Sequence, residues 1–236
     1  MRGRLKDRIA LITGASRGIG AAVAKRFASE GAHVVLVART QGGLEQVDDE
    51  IRAAGGTASL VPLDLQDFDG IDRLAAVLAE RHGKLDVLVG NAAILGALSP
   101  MSHYEPKTWT QVIDINLNAN WRLIRDFDAM LRLSDAGRAL FVTSNVVRDV
   151  RAYWGPYAAS KAGLENMVRG WAVELARTSV RANLIDPGRV RTGMRRQAYP
   201  GEDATLHPHP ESITDRFVDL VEPSYVGNGD IVTLSD

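Results

Sequence analysis

The chain has no cysteine among its 236 residues. That absence excludes a disulfide framework, a thiolate zinc site, an iron–sulfur cluster and a cysteine nucleophile. No stretch reaches the 18 or more apolar residues that a membrane span requires. The apolar run Ile9 to Ile12, behind a basic start from Met1 to Arg8, is too short for a signal-peptide core. Charge of either sign is not in excess, with 28 Lys and Arg against 29 Asp and Glu, so the basic footprint of a nucleic-acid binder is missing. Histidines number only 5, and the pair His207 and His209 has no acidic partner motif, so no metal site is expected. A cytoplasmic protein with no membrane or nucleic-acid partner is the reading.

What is present is ordinary for a globular chain, at 45% hydrophobic and 24% charged residues. Glycine is the exception, at 22 of 236 residues against the usual ~7%. Short β-branched runs alternate with amphipathic stretches. Strands are predicted at 9–12, 34–37, 59–63, 87–89, 139–143, 181–185 and 231–234, and most are continuous apolar runs that suit parallel strands covered on both faces. Helices are predicted at 19–30, 43–54, 71–81, 107–131 and 157–177. Gly31, Gly55, Gly56, Gly83 and Gly137 mark helix-to-strand returns, where left-handed backbone is expected. This alternation predicts an α/β protein, a three-layer doubly wound Rossmann fold on a mainly parallel seven-stranded sheet. No linker or repeat interrupts it, so residues 1–236 read as one domain. Two stretches break the rhythm: 91–108, and a Pro-rich excursion at about 186–224 with a short helix near 213–220. Both follow strands, and ligands of open α/β sheets bind beyond the carboxyl ends of strands.

Between the first strand and first helix lies Thr13-Gly14-Ala15-Ser16-Arg17-Gly18-Ile19-Gly20. Small residues there let the chain turn tightly and approach a pyrophosphate, which the helix N-terminus attracts. The spacing departs from G-x-G-x-x-G and lacks the Gly-Lys-Ser/Thr of phosphate-loop NTPases. An NAD site usually carries an acid about 20 residues on, at the end of the next strand. Here the strand ends in Ala38-Arg39-Thr40. Arg39 reads either as a solvated charge or as the partner of a 2′-phosphate. With Arg17 as a second cation and the acid missing, the balance favours NADP(H) over NAD(H).

Tyr157 and Lys161 open a predicted helix and lie on one face, about one turn apart. An ammonium beside a phenol favours the phenolate, although a lone pair of this spacing is common. Ser144 lies just past the predicted strand 139–143, where it would face the same cleft and polarise a carbonyl oxygen protonated by Tyr157. Asn116 is an amide in an apolar stretch, read either as a buried functional group or as a core hydrogen bond.

These residues, in order, resemble the short-chain dehydrogenase/reductase family over nearly the full length. Thr13-Gly14-x3-Gly18-Ile19-Gly20 is similar to its cofactor loop, Asp64-Leu65 to its adenine-contacting pair, and Asn116, Ser144, Tyr157 and Lys161 to its catalytic tetrad. Gly90-Asn91-Ala92-Ala93 resembles its Asn-Asn-Ala-Gly element with the first Asn and the Gly replaced. Pro187-Gly188, with Val190 and Thr192 following, resembles the segment around the nicotinamide. The resemblance implies cofactor contacts from Ser16 and Ile19 in the loop, from Asn91 to Ala93, and from Tyr157 and Lys161. It implies an oxidoreductase interconverting a carbonyl and a secondary alcohol. In it Tyr157 exchanges the proton, Ser144 polarises the oxygen, Lys161 binds ribose hydroxyls and depresses the Tyr157 pKa, and Asn116 holds a relay water. The family's Asp-Gly-Gly tail is missing, which leaves dimer and tetramer both open.

Substrate choice is expected from 94–104, 145–155 and 189–215, with Tyr153 and Trp154 as an aromatic wall or as packing under the loop. Arg148, Arg151, Arg189, Arg191, Arg195 and Arg196 cluster in sequence around the predicted mouth. They suggest either an anionic substrate, such as an acyl thioester carrier or another 3-oxo compound, or merely solvated and subunit-contact charges. A dehydratase or epimerase, and a catalytically silent cofactor-sensing regulator or scaffold, are the competing readings; an intact Ser144–Tyr157–Lys161 set argues against the silent one.

Overall fold

Each predicted strand is realised in a computed structural model that describes residues 3–234. Met1 and Arg2 of the basic start, and Ser235 and Asp236 of the tail, lie outside the described residues. The strands are β1 (Ile9–Thr13), β2 (His33–Ala38), β3 (Thr57–Pro62), β4 (Val87–Gly90), β5 (Arg138–Val142), β6 (Arg181–Asp186) and β7 (Ile231–Thr233). They form one sheet in the order β3-β2-β1-β4-β5-β6-β7. Every pairing is parallel. The sheet is therefore wholly rather than mainly parallel. Strand burial explains the continuous apolar runs: Val34 and Leu36 point into one core layer, Val35 and Val37 into the other.

Helices α1 (Gly18–Ser29), α2 (Gln41–Ala53) and α3 (Phe68–His82) make the crossovers of the first half. The third is well punctuated: Asp67 caps its N-terminus by accepting from the Gly70 N–H, and Gly83 ends it with φ of 72°. Gly31 and Gly55 likewise have positive φ, whereas Gly56 and Gly137 do not. At Gly137 the demand is space, since a Cβ would lie 2.4 Å from the Leu131 carbonyl oxygen.

The single helix predicted at 107–131 is three pieces: α4 (Pro106–Ile113), a π-helical turn (Asp114–Asn118) and α5 (Ala119–Arg132). A π turn swings the chain by one extra residue and recurs at functional sites. The long α6 (Gly155–Glu174) carries Tyr157 and Lys161. The Pro-rich excursion is only partly a loop. It contains α7 (Gly193–Ala198) and α8 (Thr214–Val221), and Phe217, Val218, Leu220 and Val221 of α8 are buried in the core layer that holds α1. Among the described residues, no helix is long and apolar enough to cross a membrane.

Candidate active site

The strand order reverses between β1 and β4, so their connections leave in opposite directions and open a crevice beyond their carboxyl ends. A cleft of about 760 Å³ fills that crevice. It brings together residues as distant in sequence as Gly14, Arg39, Asp64, Asn91, Tyr157 and Thr192.

At one end lies the glycine loop. Arg17 stands at the N-cap of α1 with no side-chain cap, and the first turn holds no acid. The N-terminus of α1 therefore stands beside the cleft without a side-chain cap, an arrangement that can hold an anion. Ser16, Arg17, Gly18 and Ile19 line the cleft, with Arg17 exposed at the rim. Gly20 does not line the cleft. A Cβ there would sit 2.3 Å from the Gly14 carbonyl oxygen, so Gly20 serves the close packing behind the loop. Thr13, buried, bolts the loop to the next strand: its hydroxyl accepts from the Asn91 and Ala92 N–H groups, each at 3.0 Å. The Asn91 amide donates to the Thr13 carbonyl at 2.8 Å.

Farther along the cleft stands Arg39, exposed beside Asp64 at 3.8 Å, with Leu65 buried alongside. The Gly90 replacement has a physical reason. A Cβ at Gly90 would meet Phe141 Cδ1 at 2.3 Å and Asn120 Oδ1 at 2.6 Å. The space an Asn side chain would need is taken by a ring from β5 and an amide from α5.

At the other end stand Ser144, Tyr157 and Lys161. Ser144 follows β5 and begins a 3-10 turn (Asn145–Val147), its hydroxyl accepting from the Val146 N–H at 3.4 Å. Burial pushes the Tyr157 phenol up to about 12, against the opposing pull of its hydrogen bond with Ser144. Burial likewise pushes Lys161 down to about 8, against the carboxylates of Asp186 and Glu165. The Lys161 ammonium donates to the Val142 carbonyl at 2.7 Å and lies 5.8 Å from the Tyr157 ring centroid. Desolvation is thus the largest influence on Tyr157, while the Lys161 ammonium is held against the end of β5.

Asn116 does not line the cleft. It occupies the π turn, fully buried, with its side-chain Oδ1 accepting from the Ile94 N–H at 2.9 Å. Its Nδ2 donates to the Ile94 carbonyl at 2.9 Å and to Ser160 Oγ at 3.1 Å. It pins the loop after β4 to α6, and both amide hydrogens are engaged in doing so.

Pro187, Gly188, Val190 and Thr192 return along the cleft, with Gly188 at φ of 68°. Gln197 Nε2 donates to the Gly96 carbonyl at 3.2 Å, joining α7 to the loop after β4. Trp154 packs edge-on against Tyr157, with centroids 5.8 Å apart, and an apolar wall of Leu95, Val146, Met194 and Ala198 continues from it. Tyr153 is not part of that wall: it is 59% exposed, at φ of 74°, with its carbonyl accepting from the Tyr104 hydroxyl and the Ser99 N–H. Of the six arginines, Arg151, Arg189 and Arg195 line the cleft. Arg191 contacts His209, and Arg148, still largely exposed, pairs with Asp186. His207 contacts Glu202.

Sequence reasoning missed Asp186, Glu165 and Thr143 as site residues. Asp186 alone carried a signal, as an acid at a strand end directly before Pro187-Gly188.

A family model for short chain dehydrogenases matches residues 8–203. The uncharacterized oxidoreductase YciK of Escherichia coli K12 is 37% identical over 220 residues, 92% of this chain and 87% of that one. A short chain dehydrogenase of Salmonella enterica serovar Typhi superimposes with a TM-score of 0.95 at 34% identity, covering 99% of this chain and 98% of its own. A protein of Escherichia coli CFT073 solved in complex with NADPH superimposes at 0.94 with 36% identity, covering 99% and 98%. One from Shigella flexneri 2a, in complex with NADP, scores 0.94 at 36% identity, covering 99% of both chains. With the glycine loop, the strand-reversal crevice and the Ser144–Tyr157–Lys161 group in place, the chain belongs to the short-chain dehydrogenase/reductase family of oxidoreductases.

Proposed function

We propose that the protein is an NADP(H)-dependent oxidoreductase that interconverts a carbonyl compound and its secondary alcohol. The observation that carries this reading is one continuous cleft with an uncapped helix N-terminus and Arg39 at one end and Ser144, Tyr157 and Lys161 at the other. The residues fit the cofactor. The α1 N-terminus and Arg17 suit a pyrophosphate, Arg39 a 2′-phosphate, and Lys161 the hydroxyls of a ribose. The NADPH-bound and NADP-bound relatives add weight to the same choice.

Bound NADPH supplies the hydrogen and electron pair that reduce the carbonyl carbon. The chain supplies the rest. Tyr157, kept protonated by burial, is the acid that gives its proton to the carbonyl oxygen. Ser144, hydrogen-bonded to that phenol, donates to the same oxygen and fixes its position. Lys161 then stabilises the phenolate left behind, and Trp154, Leu95 and Met194 exclude water from the apolar side of the substrate.

The test is NADPH oxidation against a panel of ketones, aldehydes, sugars, steroids and 3-oxoacyl thioesters. Tyr157→Phe is expected to reduce turnover by roughly 10²–10⁴-fold while leaving the NADPH Kd within about threefold. Turnover that survives this substitution removes Tyr157 from the role of acid.

A further inference from the structure

Behind the proposed catalytic group lies an ionic junction outside the residues the mechanism uses, its two carboxylates buried and its arginine, Arg148, 41% exposed. Asp186 ends β6, and its carboxylate is 3% exposed. Glu165 lies one turn beyond Lys161 on α6, and its carboxylate is 11% exposed. Two carboxylates of such burial need a cation close by. Arg148 provides it from the turn that follows Ser144. Its guanidinium donates to Asp186 Oδ2 at 2.5 Å and to Glu165 Oε1 at 3.3 Å.

Each carboxylate holds a further piece of the site. Asp186 Oδ1 accepts from the Gly188 N–H at 3.1 Å, which fixes the turn after Pro187. Glu165 Oε1 accepts from the Thr143 hydroxyl at 2.7 Å, and Thr143 immediately precedes Ser144. The fork of Arg148 therefore spans the Ser144 turn, the helix of Tyr157 and Lys161, and the Pro187–Gly188 segment. Lysine, a point charge, cannot bridge two acceptors in fixed planar geometry in this way.

We propose that Arg148 is a positioning residue for the reaction: joined to Asp186 and Glu165, it locks those three segments together and offsets the negative charge behind Lys161. This rests on the proposed role of Tyr157 in proton exchange. The ionisable groups facing Lys161 are Tyr157 and Glu165 from its own helix and Asp186 from β6, and Arg148 pairs with both of those carboxylates. Asp186 favours the protonated form of both Tyr157 and Lys161. With Arg148 removed, that influence is no longer opposed.

The experiment follows alcohol oxidation against pH, with NADP⁺ as oxidant, on the full chain. The rate rises as Tyr157 loses its proton, in a pH range brought below its cofactor-free value of about 12 by the positive charge that bound NADP⁺ would place in the cleft. Arg148→Met is expected to lower kcat at least tenfold and move the rising limb about one pH unit upward, with the NADP⁺ Kd within about threefold. Arg148→Met combined with Asp186→Asn is expected to bring the limb back, because the unopposed charge is gone. Arg148→Lys restores the limb but only part of kcat. Asp186→Asn alone, which keeps Arg148, moves the limb downward, and it serves as the test if Arg148→Met does not fold. A limb unmoved in Arg148→Met, or unmoved in Asp186→Asn, overturns the proposal. A wild-type protein with no NADP(H)-dependent turnover would instead overturn the functional reading, so the two failures are distinct.

Discussion

Lys161 is an amine 2% exposed to solvent, and its ammonium keeps a carbonyl and two nearby carboxylates as company. That company does not fully replace water, and its pKa falls from 10.5 to about 8. The sign of the linkage follows. Between pH 8 and 10.5 the unfolded chain holds a proton on this residue that the folded chain has released, so the residue's contribution to stability grows with pH across that window. A difference of this size corresponds to about 3 kcal/mol, present above the unfolded pKa and lost as pH falls through 8. Lys161→Met removes the titration and leaves the lost Val142 hydrogen bond as a constant term. Urea unfolding is therefore expected to show the variant losing ground to wild type steadily from pH 8 to 10.5. A stability difference that stays flat over that range would assign the low pKa to some other group. The sequence made Lys161 legible as a site residue through its spacing from Tyr157, but not its environment. Asp186 is far from the motif that names it, Glu165 one turn away reads as an ordinary helix charge, and Arg148 reads equally well as a solvated charge. A charge in a sequence carries no record of its partner across the fold.

At the scale of elements, strands were legible because burial on both faces forces continuous apolar runs, and all seven lie where those runs lie. The π turn was not. Val112, Ile115, Ala119, Leu123 and Phe127 are all buried and keep a helical rhythm through it, so one extra residue leaves no mark on the pattern. The misfit showed only as Asn116, an amide where an apolar side chain was due, and its hydrogen bonds to Ile94 and Ser160 explain why it is there. Gly90 is the companion case, since the local sequence reads as the loss of a hydrogen-bonding Asn. The packing reads differently: β4, β5 and α5 have closed over the position, and Asn120 places its own amide oxygen there. Gly90→Asn, which restores the family's pattern on paper, is expected to destabilise the fold by about 1–3 kcal/mol through overpacking against Phe141. Adding Asn120→Ala relieves one of the two clashes, so the double variant should lose less than the two single losses together. Thermal unfolding of the three variants checks this, and strict additivity would show that Asn120 does not compete for the space.

For the whole molecule, the net charge is only −1, so no global field draws a polyanionic cofactor in. Selection for NADPH over NADH must then be local, at the one end of the cleft where the two cofactors differ. In the proposed placement of the cofactor Arg39 and Asp64 stand there, 3.8 Å apart with side chains 53% and 43% exposed. An ion pair so open to water is weak. Arg39 can therefore turn from Asp64 to a 2′-phosphate with little loss, and the phosphate offers a forked, more highly charged acceptor. Asp64 opposes the same phosphate, so the preference is the difference between the two rather than the full strength of Arg39. Hydrogen bonds to charged groups contribute about 1.5–3 kcal/mol, which corresponds to roughly ten- to a hundredfold in Kd. Arg39→Leu is accordingly expected to weaken NADPH binding by that factor and NADH binding by less than about threefold, measured by cofactor fluorescence. Raising salt should weaken wild-type NADPH binding more than that of the variant, because the contact lies where ions reach it. Asp64→Asn should act in the opposite sense, tightening NADPH by removing the repulsion. Equal weakening of both cofactors in Arg39→Leu would place the discrimination elsewhere, with Arg17 at the mouth of the glycine loop as the next cation to remove.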